Sequence, residues 1–304
     1  MGLELSRIKA VLPAEALTRV EGLPFPKIGS GKVRELFDAG DALLIIATDR
    51  LSAFDVILPD GIPGKGVLLT QLSLWWFQRL AAQTPNHLFP DHDGEIARRL
   101  RDWPHLQARS MIVRKLKPLP VEAVVRGYLA GSGWKDYQKT GRVIDQGLPP
   151  GLRESERLPQ PLFTPTSKAH AGHDEPLTAA QTTATLGARR YVEVRDLSLR
   201  LYELGAREAA RAGLVLADTK FEFGTDEAGK LFLIDEALTP DSSRYWPAAD
   251  YAPGRPQHAF DKQYVRDYLE TLDWPKTAPG PRLPPELIQQ TQLRYLEAVE
   301  RLMG

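Results

Sequence analysis

The chain has 304 residues, 26% of them charged and 42% hydrophobic, which is a globular composition with length for roughly two domains. Lysine plus arginine equals aspartate plus glutamate at 39 each, so no global field recruits nucleic acid or an anionic membrane, and any anion site must be local. There is no cysteine, which excludes disulfides, zinc-thiolate centres and thiol nucleophiles and suits a cytosolic enzyme.

The N-terminus breaks its apolar residues with Glu4, Arg7 and Lys9 and is not a signal peptide. Met1-Gly2 with Ser6 formally fits an N-myristoylation pattern, but no polybasic patch supplies a second membrane signal. Residues 13–20 read as a short helix. Val33 to Phe37 and Leu43 to Ala47 read as antiparallel strands joined at DAGD, with Gly29, Ser30 and Gly31 as a flexible lead-in. Lys32 and Arg34 follow on one face of the first strand. Gly-rich turns with basic neighbours can cover phosphates, but neither GSGK nor IPGKG has Walker A spacing, and on these residues alone an ordinary hairpin is the better reading. Thr48 to Asp55 reads as a polar loop offering Asp49, Arg50, Ser52 and Asp55. A helix runs from Thr70, with Trp75 and Trp76 in the core.

Residues 108–126 give two more strands, ARSMIVRKL and VEAVVRG, with Pro118 and Pro120 between them as a hinge between lobes. The small-residue junction of Arg126, Gly127, Gly131, Ser132 and Gly133 leads into a helix and reads either as a phosphate site or as a loop with one surface arginine. Residues 147–165 are proline-rich and read as irregular. Thr166, Ser167 and Lys168 follow, then His173 and Asp174, a pair without a nearby nucleophile to make it a dyad. Arg195 to Ala212 reads as a helix stopped by Gly213, and Pro285 to Met303 as a docked final helix with an Ile288, Tyr295, Val299 and Leu302 stripe.

The centre of the chain is LVLADTKFEFGTDEAGKLFLIDEALTPDSSRYW, residues 214–246, where two apolar runs flank GTDEAG as a β-hairpin. Asp218, Lys220 and Glu222 share one strand face, and Thr219, Phe221 and Phe223 the other. Pairing Phe223 with Lys230 sets Glu222 against Leu231, Lys220 against Leu233 and Asp218 against Asp235. Opposed carboxylates repel, and a divalent cation or a lysine removes that penalty. Two readings stand: a solvated, ion-paired face, or a metal-phosphate site completed by Arg244 beyond the turn at Pro240 to Ser243.

The motifs GKVRELF, TDRLSAFDVILPDGIPGKG, LTQLSLWWF, VEAVVRGYLAGSGW, LFTPTSKA with GHDE, DTKFEFG and DEALTPDSSRYW, in that order, resemble the SAICAR synthetase family across almost the whole chain, in its longer form. The Thr166-Ser167 order departs from the family pattern. The resemblance implies an α+β fold related to ATP-grasp proteins: a small antiparallel β lobe over residues 1–117, and a larger α+β lobe over 118–304 with the docked C-terminal helix. It implies ATP-driven joining of carboxyaminoimidazole ribonucleotide (CAIR) to L-aspartate through an acyl phosphate, with Mg²⁺. It assigns Glu222 and Asp235 to the metal, and Lys220 and Asp218 to catalysis and to substrate, Asp218 near the imidazole. Arg126, Ser132 and Arg244 go to the ribonucleotide phosphate, Lys32 and Arg34 to the ATP-covering hairpin, and Lys115 and Glu122 to adenine and ribose. No nucleic-acid or membrane partner is implied, a monomer is favoured, and the cytoplasm is the expected location. The rival readings are a small-molecule kinase with an alcohol acceptor and a nucleotide sensor without turnover.

Overall fold

The computed structural model describes residues 2–168, 175–260 and 262–304. In chain order the elements are α1 (Leu5–Ala10), β1 (Lys27–Ser30), β2 (Arg34–Asp38), β3 (Ala42–Ala47), β4 (Arg50–Ala53), β5 (Val56–Gly61), α2 (Lys65–Leu80), α3 (His92–Arg99), α4 (Pro104–Gln107), β6 (Ser110–Arg114) and β7 (Lys117–Tyr128). Then come α5 (Gly131–Thr140), β8 (Arg142–Val143), β9 (Gln146–Gly147), β10 (Arg157–Phe163), β11 (Thr166–Ser167), α6 (Ala179–Leu186), α7 (Ala188–Arg211), β12 (Leu214–Thr225), β13 (Leu231–Ile234), β14 (Ser243–Pro247), α8 (Gln263–Glu270) and α9 (Pro285–Met303).

This is the mixed α+β architecture expected, with antiparallel pairing in both main sheets. A four-stranded sheet runs β1-β2-β3-β6. A six-stranded sheet runs β10-β7-β12-β13, with β11 on β7 and β14 on β12. The chain passes from one sheet to the other at residues 115–116. Pro118 and Pro120 lie inside β7 rather than between strands, with Pro118 opposite Gly224. The main apolar core joins α2 and α9 to the face of β12 that carries Phe221 and Phe223, with α7 covering that strand. Among the described residues no helix is long and apolar enough to cross a membrane.

Several expectations are corrected. Residues 13–20 are not helical. Leu17 exchanges hydrogen bonds with Asp49, its N–H donating to Oδ2 at 2.8 Å, and Thr18 offers its carbonyl to Arg50, so the segment is tied to residues 49–50 rather than to itself. The lead-in at Lys27–Ser30 is a strand, and the polar stretch after Thr48 is the β4-β5 hairpin. The proline-rich run contains β10. It lies at the edge of its sheet, where Pro159 and Pro161 remove no donor that an inner strand would need. The helix expected from Thr70 begins at Lys65, and that expected from Arg195 begins at Ala188.

Candidate active site

The register of the central hairpin differs from expectation. Glu222 pairs with Ile234, Phe223 with Leu233 and Thr225 with Leu231. The turn takes five residues, not six. Gly229 adopts φ 75°, and the Asp226 carboxylate accepts the Lys230 N–H at 2.8 Å. The shift is by an odd number of residues and would send Asp235 to the core face. Asp235 leaves the strand instead, at φ 70°, where its N–H donates to Nδ1 of buried His87 at 3.0 Å. That escape brings its carboxylate back beside Glu222.

Asp218, Lys220 and Glu222 do share one face of β12, about 13 Å from end to end at the strand rise of ~3.3 Å per residue. Three environments follow along that face. At the first end, Asp218 pairs across the sheet with Arg126 on β7 and Arg244 on β14, not with Asp235. Both guanidinium groups meet its Oδ2, Arg126 at 3.3 Å and Arg244 in a closer ion pair. Arg126 also donates to Ser132 Oγ at 3.0 Å, at the start of α5, and to Thr164 Oγ1 at 3.1 Å. Burial and the neighbouring Arg244 outweigh Asp218 and hold the Arg126 guanidinium below its ordinary pKa. Gly131 sits at φ 58° under Arg244, and a Cβ there would lie 2.5 Å from Nη2. Half-buried cations converging on a helix N-terminus make an anion cradle.

In the middle, Lys220 Nζ lies 2.5 Å from Glu122 Oε1 and 3.8 Å from Glu222 Oε1. Burial lowers its pKa, but Glu122 and Glu222 outweigh that and hold it above the ordinary lysine value, so the ammonium stays charged. Thr166 donates to Glu122 Oε2 at 3.3 Å, and Lys168 closes an ion pair on Glu222.

At the far end stand Glu222, Asp235 and Glu236, with Arg34 from β2 bridging the last two, Nη2 lying 2.7 Å from Glu236 Oε2. Burial first, then Asp235, pushes Glu222 above the usual glutamate range. Burial likewise raises Glu236 despite Arg34. Asp235 is pushed up by burial but pulled further down by Arg34, and stays ionised. Two carboxylates that disfavour each other's charge in a buried corner suit a hard cation such as Mg²⁺. Among the described residues no three His, Cys, Asp or Glu side chains form a full cage. Two protein carboxylates, with water and phosphate completing the shell, is the manner in which Mg²⁺ is commonly held.

Lys32 pairs with Asp55 at 2.5 Å, and Lys115 with Asp38 at 2.7 Å, both on the exposed side. Asp49, expected to be available, is buried and holds Arg109 at 3.0 and 3.1 Å. Asp241, expected only as a turn residue, is clasped by buried Lys65 at 2.6 Å and the Tyr295 hydroxyl at 2.6 Å. His173 and Asp174 lie outside the described residues. Sequence reading gave no role to Lys168, Glu236 or His87. Lys168 stands in LFTPTSKA and Glu236 next to Asp235, so both were visible in motifs, whereas His87 carries no motif signal.

A family model described as SAICAR synthetase matches residues 27–281. The phosphoribosylaminoimidazole-succinocarboxamide synthase of Xanthomonas axonopodis pv. citri (strain 306) is 53% identical over 286 residues, covering 90% of this chain and 92% of its own. The synthase of the same name from Stenotrophomonas maltophilia (strain R551-3) is 52% identical over 286 residues, covering 90% and 93%. The solved SAICAR-synthase from Saccharomyces cerevisiae, complexed with SAICAR, superposes with a TM-score of 0.86 at 39% identity, covering 94% of this chain and 98% of that one.

Proposed function

The chain belongs to the SAICAR synthetase family, and from that premise we propose how its side chains divide the work of the ligase. The enzyme performs the succinocarboxamide-forming step of purine biosynthesis. The proposal concerns ATP, Mg²⁺ and the residues.

A carboxylate is a poor acyl donor because its leaving group would be oxide. Transfer of the ATP γ-phosphoryl to the CAIR carboxylate forms an acyl C–O–P linkage and releases ADP. The aspartate amine then attacks the acyl carbon, the amide forms, phosphate leaves with the C–O electron pair, and the amine proton goes to solvent. Both steps bring anions together, so the site needs fixed positive charge more than a covalent nucleophile.

Arg126, Ser132 and Arg244 take the ribonucleotide phosphate, the two arginines exchanging their shared partner Asp218 for a stronger anion. Asp218 then accepts from the imidazole substrate. Lys220, midway along the face and kept charged by Glu122 and Glu222, stabilises negative charge where carboxylate and γ-phosphoryl meet. Glu222 and Asp235 would hold Mg²⁺, which when bound neutralises phosphate charge. Arg34 and Lys32 reach the ATP phosphates from the four-stranded sheet, and Lys115 and Glu122 take the adenine and ribose side. A monomeric enzyme working in the cytoplasm completes the proposal.

The observation that carries this reading is Lys220 set between an anion cradle and a buried acid pair on one strand face. The test is ADP release and product formation with CAIR and aspartate each omitted in turn. Product and ADP must require both. ADP formed with an alcohol acceptor and no aspartate would make the protein a kinase, and ATP binding without turnover would make it a sensor.

A further inference from the structure

Arg50 follows the buried Asp49, and its guanidinium is used on all three nitrogens. Nε donates to the Lys32 carbonyl at 3.0 Å, and Nη2 to the carbonyls of Gly31 at 2.8 Å and Arg34 at 3.3 Å. Nη1 donates to the Thr18 carbonyl at 2.9 Å and to Glu35 Oε1 at 2.5 Å. One side chain thus fixes the Gly31 and Lys32 carbonyls of the three-residue turn between β1 and β2 and the Arg34 carbonyl at the start of β2, and Glu35, 1% exposed, anchors the clamp from inside.

In a trans peptide the carbonyl of one residue and the N–H of the next point in opposite directions. Turning the Gly31 and Lys32 carbonyls onto Arg50 therefore turns the N–H groups of Lys32 and Val33 away from it. Among the described residues neither N–H donates to a backbone acceptor. Successive N–H groups presented together, flanked by the side chains of Lys32 and Arg34, make an anion-binding concavity. Thr48 secures the outgoing arm, its N–H at 2.9 Å and its hydroxyl at 2.8 Å from the Val33 carbonyl.

We propose that Arg50 is the positioning residue of the nucleotide-covering turn: it touches no substrate, and it orients the peptides of residues 31–33 so that their free N–H groups face the ATP phosphates. This rests on the reading of that turn as the ATP cover. A merely structural arginine would act on stability and on both substrates alike.

The experiment is calorimetric binding of MgADP and of CAIR to the intact protein and to the Arg50→Met, Arg50→Lys and Lys32→Ala variants, with melting temperatures. Arg50→Met is expected to weaken MgADP by at least about tenfold and to leave CAIR affinity within about twofold. Arg50→Lys is expected to match Arg50→Met, because a compact ammonium cannot reach carbonyls spread around a planar fork. In Arg50→Ala, added ethylguanidinium restores part of the MgADP affinity and ethylammonium does not. Equal losses for MgADP and CAIR in Arg50→Met overturn the proposal, as does wild-type MgADP binding there while Lys32→Ala binds weakly. Wild-type MgADP binding in both Arg50→Met and Lys32→Ala overturns the underlying reading of the turn. If Arg50→Met does not fold, Arg50→Lys with wild-type MgADP affinity is decisive against the clamp.

Discussion

Glu122 and Glu222 are direct cross-strand partners on β7 and β12, and Lys220 is the cation that both of them face. Like charges directly opposite each other destabilise a strand pair. Lys220 removes that repulsion in the resting protein, and the same two acids keep its ammonium charged for the reaction. One lysine therefore has a structural and a chemical duty, and single substitutions mix the two.

Lys220→Met is expected to lower single-turnover product formation by at least about two orders of magnitude. It should also cost about 1–2 kcal/mol of stability, less than a fully buried pair because the lysine side chain is 35% exposed. Adding Glu122→Gln should return the melting temperature toward normal without returning the rate. If the double variant regains both, Lys220 serves only as an ion-pair partner.

Glu222→Gln and Asp235→Asn each keep shape and delete one charge of the acid pair. Turnover should fall at least about a hundredfold at any Mg²⁺ concentration, with the circular dichroism spectrum unchanged. Activity near that of the parent at saturating Mg²⁺ in either variant would remove the acid pair as the cation site.

Arg126→Ala should raise the KM for CAIR by a loss of about 1.5–3 kcal/mol and leave the KM for ATP nearly unchanged. Gly131→Ala should do the same without touching any charge, since the new Cβ meets the Arg244 guanidinium and the φ of 58° disfavours alanine. Separate KM measurements for the two substrates decide. An effect confined to ATP would assign this cradle to the other phosphate.

Asp241 carries a pH dependence. Burial pushes its carboxyl up, but Lys65 outweighs that and holds it well below the ordinary value of 3.8. A depressed folded pKa contributes stability that is present above the unfolded value and lost as pH falls below it. Urea unfolding should therefore show wild type losing stability below about pH 4 more steeply than Asp241→Asn. At pH 7 Asp241→Asn should cost about 3–5 kcal/mol, because it leaves Lys65 buried and unpaired. Equal acid slopes in the two proteins would remove this pair from the acid limb.

The β2-β3 hairpin and the span of α9 were legible because each follows one period over its whole length, alternation in one and an apolar stripe in the other. The shared face of Asp218, Lys220 and Glu222 was legible for the same reason. The hairpin register was not, because a turn of five or six residues is decided by Gly229 and the Asp226 side chain, and no periodicity reports that. Asp235 reached the site by a left-handed backbone that alternation forbids. Edge position excused the prolines of β10, and edges are a property of the sheet, not of the segment. The partners of Asp49 and Asp241 come from distant elements, so burial could not be told from availability.

The ion pair of Arg34 with Asp235 joins residues 201 positions apart. A ribosome adding ~5–20 residues per second needs roughly 10–40 s to travel that distance. Only once Arg114 is made are all four strands of the sheet around β2 present, and for roughly the last 6–24 s of that interval β2 carries its guanidinium there without either of its eventual carboxylates. The nascent protein thus passes through a stage with a formed basic cover and no acidic floor, open to any polyanion nearby, and only the arrival of β13 and the residues after it withdraws that surface from other ligands.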